Sequence, residues 1–397
     1  MKSVWYLRGT FLLVSLVPVA MACSRAGDAD LWMAEDVDAG GEQPLPSADP
    51  PDESEAGVDA GSTDGDAGPP ARTCSDDGFC HTDVPGGQTL RDVWGDTEGV
   101  AWTVSAEGNV LRWNGAAWVQ SFAAGTPLYA VWGSSSTDLW VGGEAGLFHG
   151  TGASASTLVW TAVPAPGPVR SIWGASGSDV WAVVAEAATD TEGTVLHLSA
   201  APDAVDGGDP GDGDAGTGWV VDPVSTAFPA RYVKVWGTSS DDVWLGAEVG
   251  AIRTLQVIHG RREGAGQLVW RPTVPRNVLQ MNGGCSVSRS EVYLLGSRDY
   301  YRGVSANDGL SFTWTAHADF TVGGLAHRAV RASAPNDVWL AGDLGRLRHW
   351  DGVDWRLARI ALDDVMPVVK PFYAIWASED GDVWVVGQDI ALRKVAP

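Results

Sequence analysis

The chain has 397 residues, with 50 glycines and 21 tryptophans against 8 phenylalanines and 7 tyrosines. Its formal net charge of −24 disfavours nucleic acid and anionic membrane surfaces as partners, because both carry charge of the same sign. Such an excess of tryptophan in a glycine-rich chain favours one repeated unit over several unrelated cores, so the length alone does not imply several domains.

The first 22 residues are typical of a signal peptide. Lys2 and Arg8 precede the apolar run FLLVSLVPVA, which is too short to cross a bilayer as a helix. Cys23 follows in VAMACS, which resembles a bacterial lipobox, whose cysteine is acylated and becomes the mature N-terminus. Alanine stands at position 20, where that pattern usually has leucine, and AMA also fits ordinary signal peptidase. Lipidation at Cys23, which would anchor the protein to a membrane, and simple export are therefore the two alternatives.

Residues 23–73 are expected to form a disordered, acidic tether. The stretch 27–73 contains 13 acidic residues and one arginine, and most of the rest is Gly, Ala and Pro. Five further aspartates without a basic residue lie in 200–218. No D-x-D-x-D-G loop with a closing glutamate is present in the tether, so a calcium site is disfavoured. The expected folded domain is 74–397.

A phrase with two aromatic residues recurs seven times in that domain. Its first and second positions are eight residues apart in every copy: Trp94 and Trp102, Trp132 and Trp140, Trp173 and Trp181, Trp236 and Trp244, Cys285 and Tyr293, Arg331 and Trp339, Trp376 and Trp384. An acid stands two residues before the second position in six copies, whereas the first copy has Val100. The constant spacing predicts that the two side chains face each other across a β-hairpin, with the acid bonding amides of the turn.

Two more strands follow each hairpin. The third strands include NVLRW at 109–113 and AIRTL at 251–255, and the fourth begin at Trp118, Trp160, Trp219, Trp270, Trp314 and Trp355. WNGAAW and WDGVDW join them in two copies, through Asn-Gly and Asp-Gly, which favour two-residue turns. A unit of four antiparallel strands repeated seven times predicts an all-β, seven-bladed β-propeller, with the tryptophan pairs joining adjacent blades.

The seventh copy has only three strands. Phe79 lies fifteen residues before Trp94, within the range that separates fourth-strand tryptophans from the next hairpin. We therefore expect Phe79–Val84 to complete the last blade by pairing near 391–395, with Phe79 in a place that tryptophan fills elsewhere. Cys74 and Cys80 lie at the start of this strand, and an oxidising compartment would favour a disulfide between them.

The pattern VWGSS…DVWAVG…HWDG…W resembles the tryptophan-rich propeller repeats of predicted bacterial surface lipoproteins, and is distantly similar to Asp-box and kelch-like repeats. The resemblance covers 79–397. It implies an exported, lipid-anchored protein of the cell envelope, at the outer membrane or surface of a Gram-negative bacterium. It says little about activity, because propellers carry many unrelated functions.

No motif for catalysis, a metal or a cofactor stands out, so none of the three is expected. His149, His197 and His349 share one position of the third strand, which favours a structural role, and no H-x-x-x-H, C-x-x-C, G-x-S-x-G or Walker pattern occurs. The alternative is an exported carbohydrate-active enzyme similar to sialidases. SEDGDVW at 378–384 approaches an Asp box but lacks its glycine, and no F-R-I-P is present.

The candidate binding residues lie three positions before each first aromatic position, at the start of the innermost strand. Six of the seven are polar or aromatic: Arg91, Tyr129, Arg170, Asn282, Arg328 and Tyr373, whereas the fourth copy has Val233. Converging at one mouth of the central channel, they would suit an anionic or hydroxyl-rich ligand. The segments GSRDYYRGVSANDGLSF and HGRREGAG are further candidates. We expect a monomeric protein that binds a protein or glycan ligand.

Overall fold

The computed structural model describes residues 74–395 apart from 186–191, 200–217, 265, 274–277, 279, 297–298, 319–325, 363–365 and 379. The expected signal peptide, Cys23 and the tether lie outside the described residues. Seven sheets of four antiparallel strands are present, which confirms the predicted seven-bladed propeller.

The strands are numbered in chain order. β1 is Cys80–Thr82. The first blade contains β2 (Leu90–Gly95), β3 (Ala101–Ser105), β4 (Asn109–Trp113) and β5 (Trp118–Ala123). The second contains β6 (Leu128–Ser135), β7 (Asp138–Gly143), β8 (Gly146–Thr151) and β9 (Val159–Val163). The third contains β10 (Val169–Ser176), β11 (Asp179–Ala185), β12 (Gly193–Ser199) and β13 (Trp219–Val221), followed by the helix α1 (Val224–Ala227).

The fourth blade contains β14 (Arg231–Ser239), β15 (Asp242–Val249), β16 (Thr254–Arg262) and β17 (Leu268–Pro272). The fifth contains β18 (Gly283–Ser288), β19 (Glu291–Leu295), β20 (Asp299–Val304) and β21 (Thr313–Ala318). The sixth contains β22 (His327–Ala334), β23 (Asp337–Gly342), β24 (Leu347–Trp350) and β25 (Trp355–Leu357), with a 3-10 turn at Asp343–Gly345. A short hairpin of β26 (Ala361–Leu362) and β27 (Met366–Pro367) precedes the seventh blade, which contains β28 (Phe372–Ala377), β29 (Val383–Gly387) and β30 (Ile390–Lys394).

The N-terminal strand closes the ring. β1 pairs antiparallel with β30, with Cys80 opposite Arg393 and Thr82 opposite Ala391, and the innermost strands of all seven blades contact one another in cyclic order. β1 is shorter than the predicted 79–84, but Phe79 just before it is fully buried. A disulfide joins Cys74 to Cys80. The prediction that an N-terminal strand completes the last blade is confirmed.

The two repeated aromatic positions face each other in all seven hairpins, as predicted. In four of the five blades that have it, the first tryptophan also reaches the next blade and lies on the glycine that follows the same position there. The exception is Trp236, whose indole N–H donates to the Ser286 hydroxyl over 3.0 Å. Trp173 lies on Gly237, and Trp376 lies on Gly95 across the ring closure. A Cβ on Gly237 would lie only 2.5 Å from the Trp173 ring, so a larger residue would displace the indole. Close packing between blades therefore explains the Trp-Gly dipeptide of the repeat.

Where the first tryptophan is replaced, the residue that it would cover is replaced as well. The fifth blade has Cys285 in place of the tryptophan, and the facing residue of the sixth blade is Ala332 instead of glycine. The sixth blade has Arg331, and the facing residue of the seventh blade is Ala377 instead of glycine. The Arg331 guanidinium is buried and donates two hydrogen bonds, of 2.7 and 3.1 Å, to the carbonyl oxygen of Ala377. The amide of Ala332 donates to Cys285 Sγ over 3.3 Å. At these two interfaces the facing positions are thus changed as a pair.

The second aromatic position forms another contact between blades. At six interfaces it lies edge-to-face with an aromatic residue at the fourth strand of the following blade, with interplanar angles of 70–83° and centroids 5.1–6.3 Å apart. Such pairs add about 0.5–1.5 kcal/mol each beyond their buried area. Phe79 is one of these partners and lies 5.6 Å from Trp339, in the position that tryptophan fills elsewhere. The tryptophan pairs therefore join adjacent blades, as predicted.

The third strand places His or Arg opposite the second aromatic position in every blade: Arg112, His149, His197, His259, Arg302, His349 and Arg393. The four imidazoles stack on the indole at 3.7–4.0 Å, and each Nε2 lies 2.6–2.9 Å from the aspartate of the hairpin. These aspartates were expected to bond turn amides. That expectation was wrong, because the histidine lies within reach of the carboxylate.

Hydroxyl groups complete three of these networks. Ser134 and Ser333 donate to Asp138 and Asp337, four residues later, and Thr238 does the same in the fourth blade. Burial raises the pKa of Asp138 and Asp337, but hydrogen bonds from the histidine and the serine outweigh it, so both carboxyl pKa values lie below the usual range. The carboxylates are therefore ionised acceptors within the blade.

Two local predictions were wrong, one on a third strand and one on the turns between third and fourth strands. AIRTL is not the third strand of the fourth blade, because a turn at 250–253 brings Arg253 to a φ of 52° and the strand begins at Thr254, so His259 was missed. The segments HGRREGAG and GSRDYYRGVSANDGLSF each contain part of a third strand. WNGAAW and WDGVDW each form a four-residue loop between paired tryptophans rather than a two-residue turn. In each loop the side-chain Oδ1 of the first residue, Asn114 or Asp351, accepts hydrogen bonds from two loop amides.

Candidate functional site

The candidate site is the set of residues at the start of the innermost strands, which line the central channel of a propeller. In six blades this residue is the extra residue of a β-bulge. Arg91, for example, lies between Leu90 and Asp92, which pair with Ser105 and Val104. A bulge interrupts the alternation of side chains and turns one residue out of the sheet. The same device therefore presents a side chain at the same end of six blades.

The exception is the fifth blade, where Asn282 immediately precedes the strand. Its backbone amide donates to the Leu295 carbonyl over 3.0 Å, and its side-chain amide donates to the His327 carbonyl over 2.8 Å. Asn282 thus links the fifth blade to the sixth. In the fourth blade, the apolar Val233 is 4% exposed and offers no polar group.

The three arginines form two groups, each packed against one tyrosine ring. The guanidinium carbons of Arg91 and Arg328 lie 5.2 and 5.4 Å from the centre of the Tyr373 ring, and that of Arg170 lies 4.3 Å from the Tyr129 ring. These distances are within the range of cation–π attraction. The Tyr373 group spans the sixth, seventh and first blades, and the Tyr129 group spans the second and third.

Two carboxylates that the sequence interpretation missed lie beside these groups. Glu144 accepts a hydrogen bond from the Tyr129 hydroxyl over 2.9 Å and lies 4.0 Å from Arg170, and Asp343 pairs with Arg328. Each acid directly follows the second strand of its blade. Because the two strands are antiparallel, the end of the second strand lies beside the start of the first, so the acid lies next to the candidate residue. The sequence signal for these two acids is an acidic residue directly after the second strand, in GGE at 142–144 and in AGD at 341–343.

Arg91 differs from the other two arginines. Among the described residues no carboxylate lies within salt-bridge distance of it, and its Nε is buried without a hydrogen-bond partner. Burial raises the pKa of Tyr129, against the opposing charge of Arg170, so this phenol remains a neutral donor. With three guanidinium groups and two carboxylates, the cluster has a net positive charge in a strongly acidic protein. It can donate hydrogen bonds to carboxylate, phosphate or hydroxyl oxygens.

Other kinds of site are not found in the described part of the chain. No group of three His, Cys, Asp or Glu residues there is placed to hold a metal ion. None of the helices in the described ranges combines the length and the apolar character needed to cross a membrane.

Comparison with known proteins identifies the fold. No family model matches the chain, and no curated protein matches it. Similar solved structures include YCF48 bound to D1 peptide, with a TM-score of 0.58 and 16% identity over 83% of this chain and 100% of that one. The WD40 propeller domain of Doa1 has a TM-score of 0.54 and 12% identity over 81% and 95% of the two chains.

A third similar structure is the extracellular domain of a putative one component system, BT4673, from B. thetaiotaomicron. It has a TM-score of 0.54 and 13% identity, over 79% of this chain and 39% of that one. At these identities the likeness shows the propeller fold alone.

Proposed function

We propose that this protein is a non-catalytic, surface-anchored propeller whose channel mouth binds an acidic group of a protein or glycan ligand. The observation that supports this most strongly is the recurrence of β-bulges that bring three arginines and two tyrosines to one end of the innermost strands. YCF48, which shares the fold, was solved with a bound peptide, which supports a peptide as the ligand here.

Arg91 is the strongest contact for such a ligand, because its charge is not already neutralised by a neighbouring carboxylate. Arg328 shares the Tyr373 ring with it. A ligand carboxylate placed between the two guanidinium groups would accept hydrogen bonds from both, and charge-assisted bonds of this kind are about twice as strong as neutral ones. Arg328 and Arg170 would contribute less than Arg91, because Asp343 and Glu144 lie beside them.

We expect Arg91→Ala to weaken binding of acidic ligands at least tenfold, with smaller losses for Arg328→Ala and Arg170→Ala, because Asp343 and Glu144 partly neutralise these two arginines. The measurement is a screen of the protein from Ala71 onward against peptide and glycan arrays, followed by titration of the best ligand at two salt concentrations. Arg356→Ala is the matched control, because this side chain is 73% exposed in a fourth strand, away from the channel. Equal losses for all four variants would contradict a site at the channel mouth. Turnover of a chromogenic glycoside would contradict the non-catalytic assignment.

Surface anchoring in this proposal depends on Cys23. We expect Cys23→Ala to move the protein from the membrane fraction to the soluble fraction, because acyl chains on this thiol would supply the membrane affinity. Mass spectrometry of the wild-type N-terminal peptide should show the added acyl mass. A variant that stays with the membrane, together with a wild type lacking acyl mass, would contradict lipidation.

A further inference from the structure

The interface between the fifth and sixth blades differs from the other six. Tyr293 stands where the other hairpins have tryptophan, and no edge-to-face pair joins it to the next fourth strand. Trp355, which would form that pair, instead lies against Tyr300, with ring centroids 5.1 Å apart. Its indole N–H donates to the Tyr300 hydroxyl over 2.5 Å. The space that an indole fills at the other interfaces is therefore left open.

A cavity of about 180 Å³ occupies this space, which we call the blade 5/6 cavity. Its lining consists of Tyr293, Tyr300, Arg302, His317, Trp350 and Trp355. Sites for drug-sized ligands measure about 300–1,000 Å³, so this cavity suits one small ring. Trp350 and Trp355 form a tilted pair with centroids 5.8 Å apart, and the His317 imidazole stacks on Tyr300 at 4.5 Å. Aromatic rings thus form most of the wall.

The polar groups of the cavity offer donors more than acceptors. Arg302 replaces the histidine of the repeat, and its Nε donates to Glu291 over 2.7 Å, while the Tyr293 hydroxyl donates to the same carboxylate oxygen over 2.6 Å. Glu291 is thereby satisfied. The Arg302 side chain is 43% exposed and retains its two terminal amino groups for a ligand. Desolvation, and then the charge of Arg302, lower the pKa of His317, so the imidazole is neutral near pH 7.

We propose that the blade 5/6 cavity binds a pyranose ring. The apolar C–H face of the sugar would pack on the indoles of Trp350 and Trp355, and its oxygens would accept hydrogen bonds from Arg302. A cationic ligand is disfavoured by the guanidinium, and a purely apolar ring would leave the Arg302 donors facing it without partners. The cavity lies among third and fourth strands, away from the channel mouth, and this proposal does not depend on the ligand proposed there.

The test replaces two residues of the cavity with those that the two neighbouring blades have at the same positions. Tyr293→Trp with Arg302→His rebuilds the indole and imidazole stack of the neighbouring blades and fills the cavity. We expect the double variant to lose at least tenfold in pyranose affinity, with a melting temperature equal to or above that of the wild type. Titration of the full chain with methyl glycosides of glucose, galactose, glucuronate and galacturonate, followed by calorimetry and saturation-transfer NMR, measures the affinity.

Arg393→His is the matched control, because it makes the same exchange in the seventh blade, where Trp384 is already present and pairs with Trp118. We expect it to leave pyranose binding unchanged. The proposal is supported if the neutral or the acidic glycosides bind the wild type and the control, and this binding is lost in the double variant alone. Binding of the neutral glycosides would indicate stacking on the indoles, whereas a preference for the acidic glycosides would indicate an additional ion pair with Arg302. The proposal is overturned if none of the four glycosides binds the wild type, or if a stably folded double variant binds them as tightly.

Discussion

A chain that begins at Gln88 should unfold at a clearly lower temperature than a chain that begins at Ala71, although the two differ by only 17 residues. The shorter chain lacks β1, so β30 keeps β29 but loses its outer hydrogen-bonded neighbour and becomes an exposed edge. It also lacks Phe79 and the disulfide between Cys74 and Cys80. Thermal unfolding followed by circular dichroism measures the difference. Equal melting temperatures would contradict closure of the ring by this strand.

Phe79→Ala separates side-chain packing from strand pairing. Phe79 is fully buried and contacts Trp339 edge-on, so its truncation should cost about 3–5 kcal/mol of unfolding free energy. Val353→Ala is a suitable control, because that side chain is 76% exposed and should be nearly neutral. Denaturant unfolding of both variants, each beginning at Ala71, gives the comparison. A loss below about 1 kcal/mol for Phe79→Ala would mean that the aromatic contact contributes little to closure.

Closure could be predicted from the sequence because it is a matter of counting. The hairpin spacing is constant, each blade needs four strands, and one strand is missing after Phe372. The required aromatic residue is found near the N-terminus, and both the partner strand and its direction follow from antiparallel pairing. Fold and topology therefore depend on local patterns, which a single sequence displays.

Side-chain contacts between strands were harder to predict from the sequence. His259 was missed because the turn at 250–253 moves the third strand of the fourth blade, and only the register shows its place opposite Trp244. Glu144 and Asp343 each lie 15 residues after the inner-strand residue of their own blade, Tyr129 and Arg328. They were missed because the sequence interpretation considered the start of the first strand alone, and not the residue that the return of the hairpin brings beside it. The blade 5/6 cavity is a space between two blades, and it becomes visible only when both walls are present.

The matched pairs between blades lead to the second large effect. Arg331→Trp gives the sixth blade the residue of the repeat, but the facing residue is Ala377 rather than glycine. The indole would meet its methyl group, and the two hydrogen bonds from Arg331 to the Ala377 carbonyl would be lost. Overpacking of this kind costs about 1–3 kcal/mol, and a lost bond to a charged donor adds about 1.5–3 kcal/mol. We therefore expect Arg331→Trp to lower the free energy of unfolding by several kcal/mol.

Ala377→Gly should restore much of this loss in the double variant, although on its own it should cost about 0.5–1 kcal/mol because glycine weakens a strand. The reason is that Gly237 accepts the Trp173 ring in the same arrangement, with no room for a Cβ. Denaturant unfolding of the wild type, the two single variants and the double variant forms a complete cycle. A favourable coupling of more than about 1 kcal/mol shows that the two positions act as one unit. Additive losses would show instead that the buried arginine, and not the space above residue 377, determines the stability of this interface.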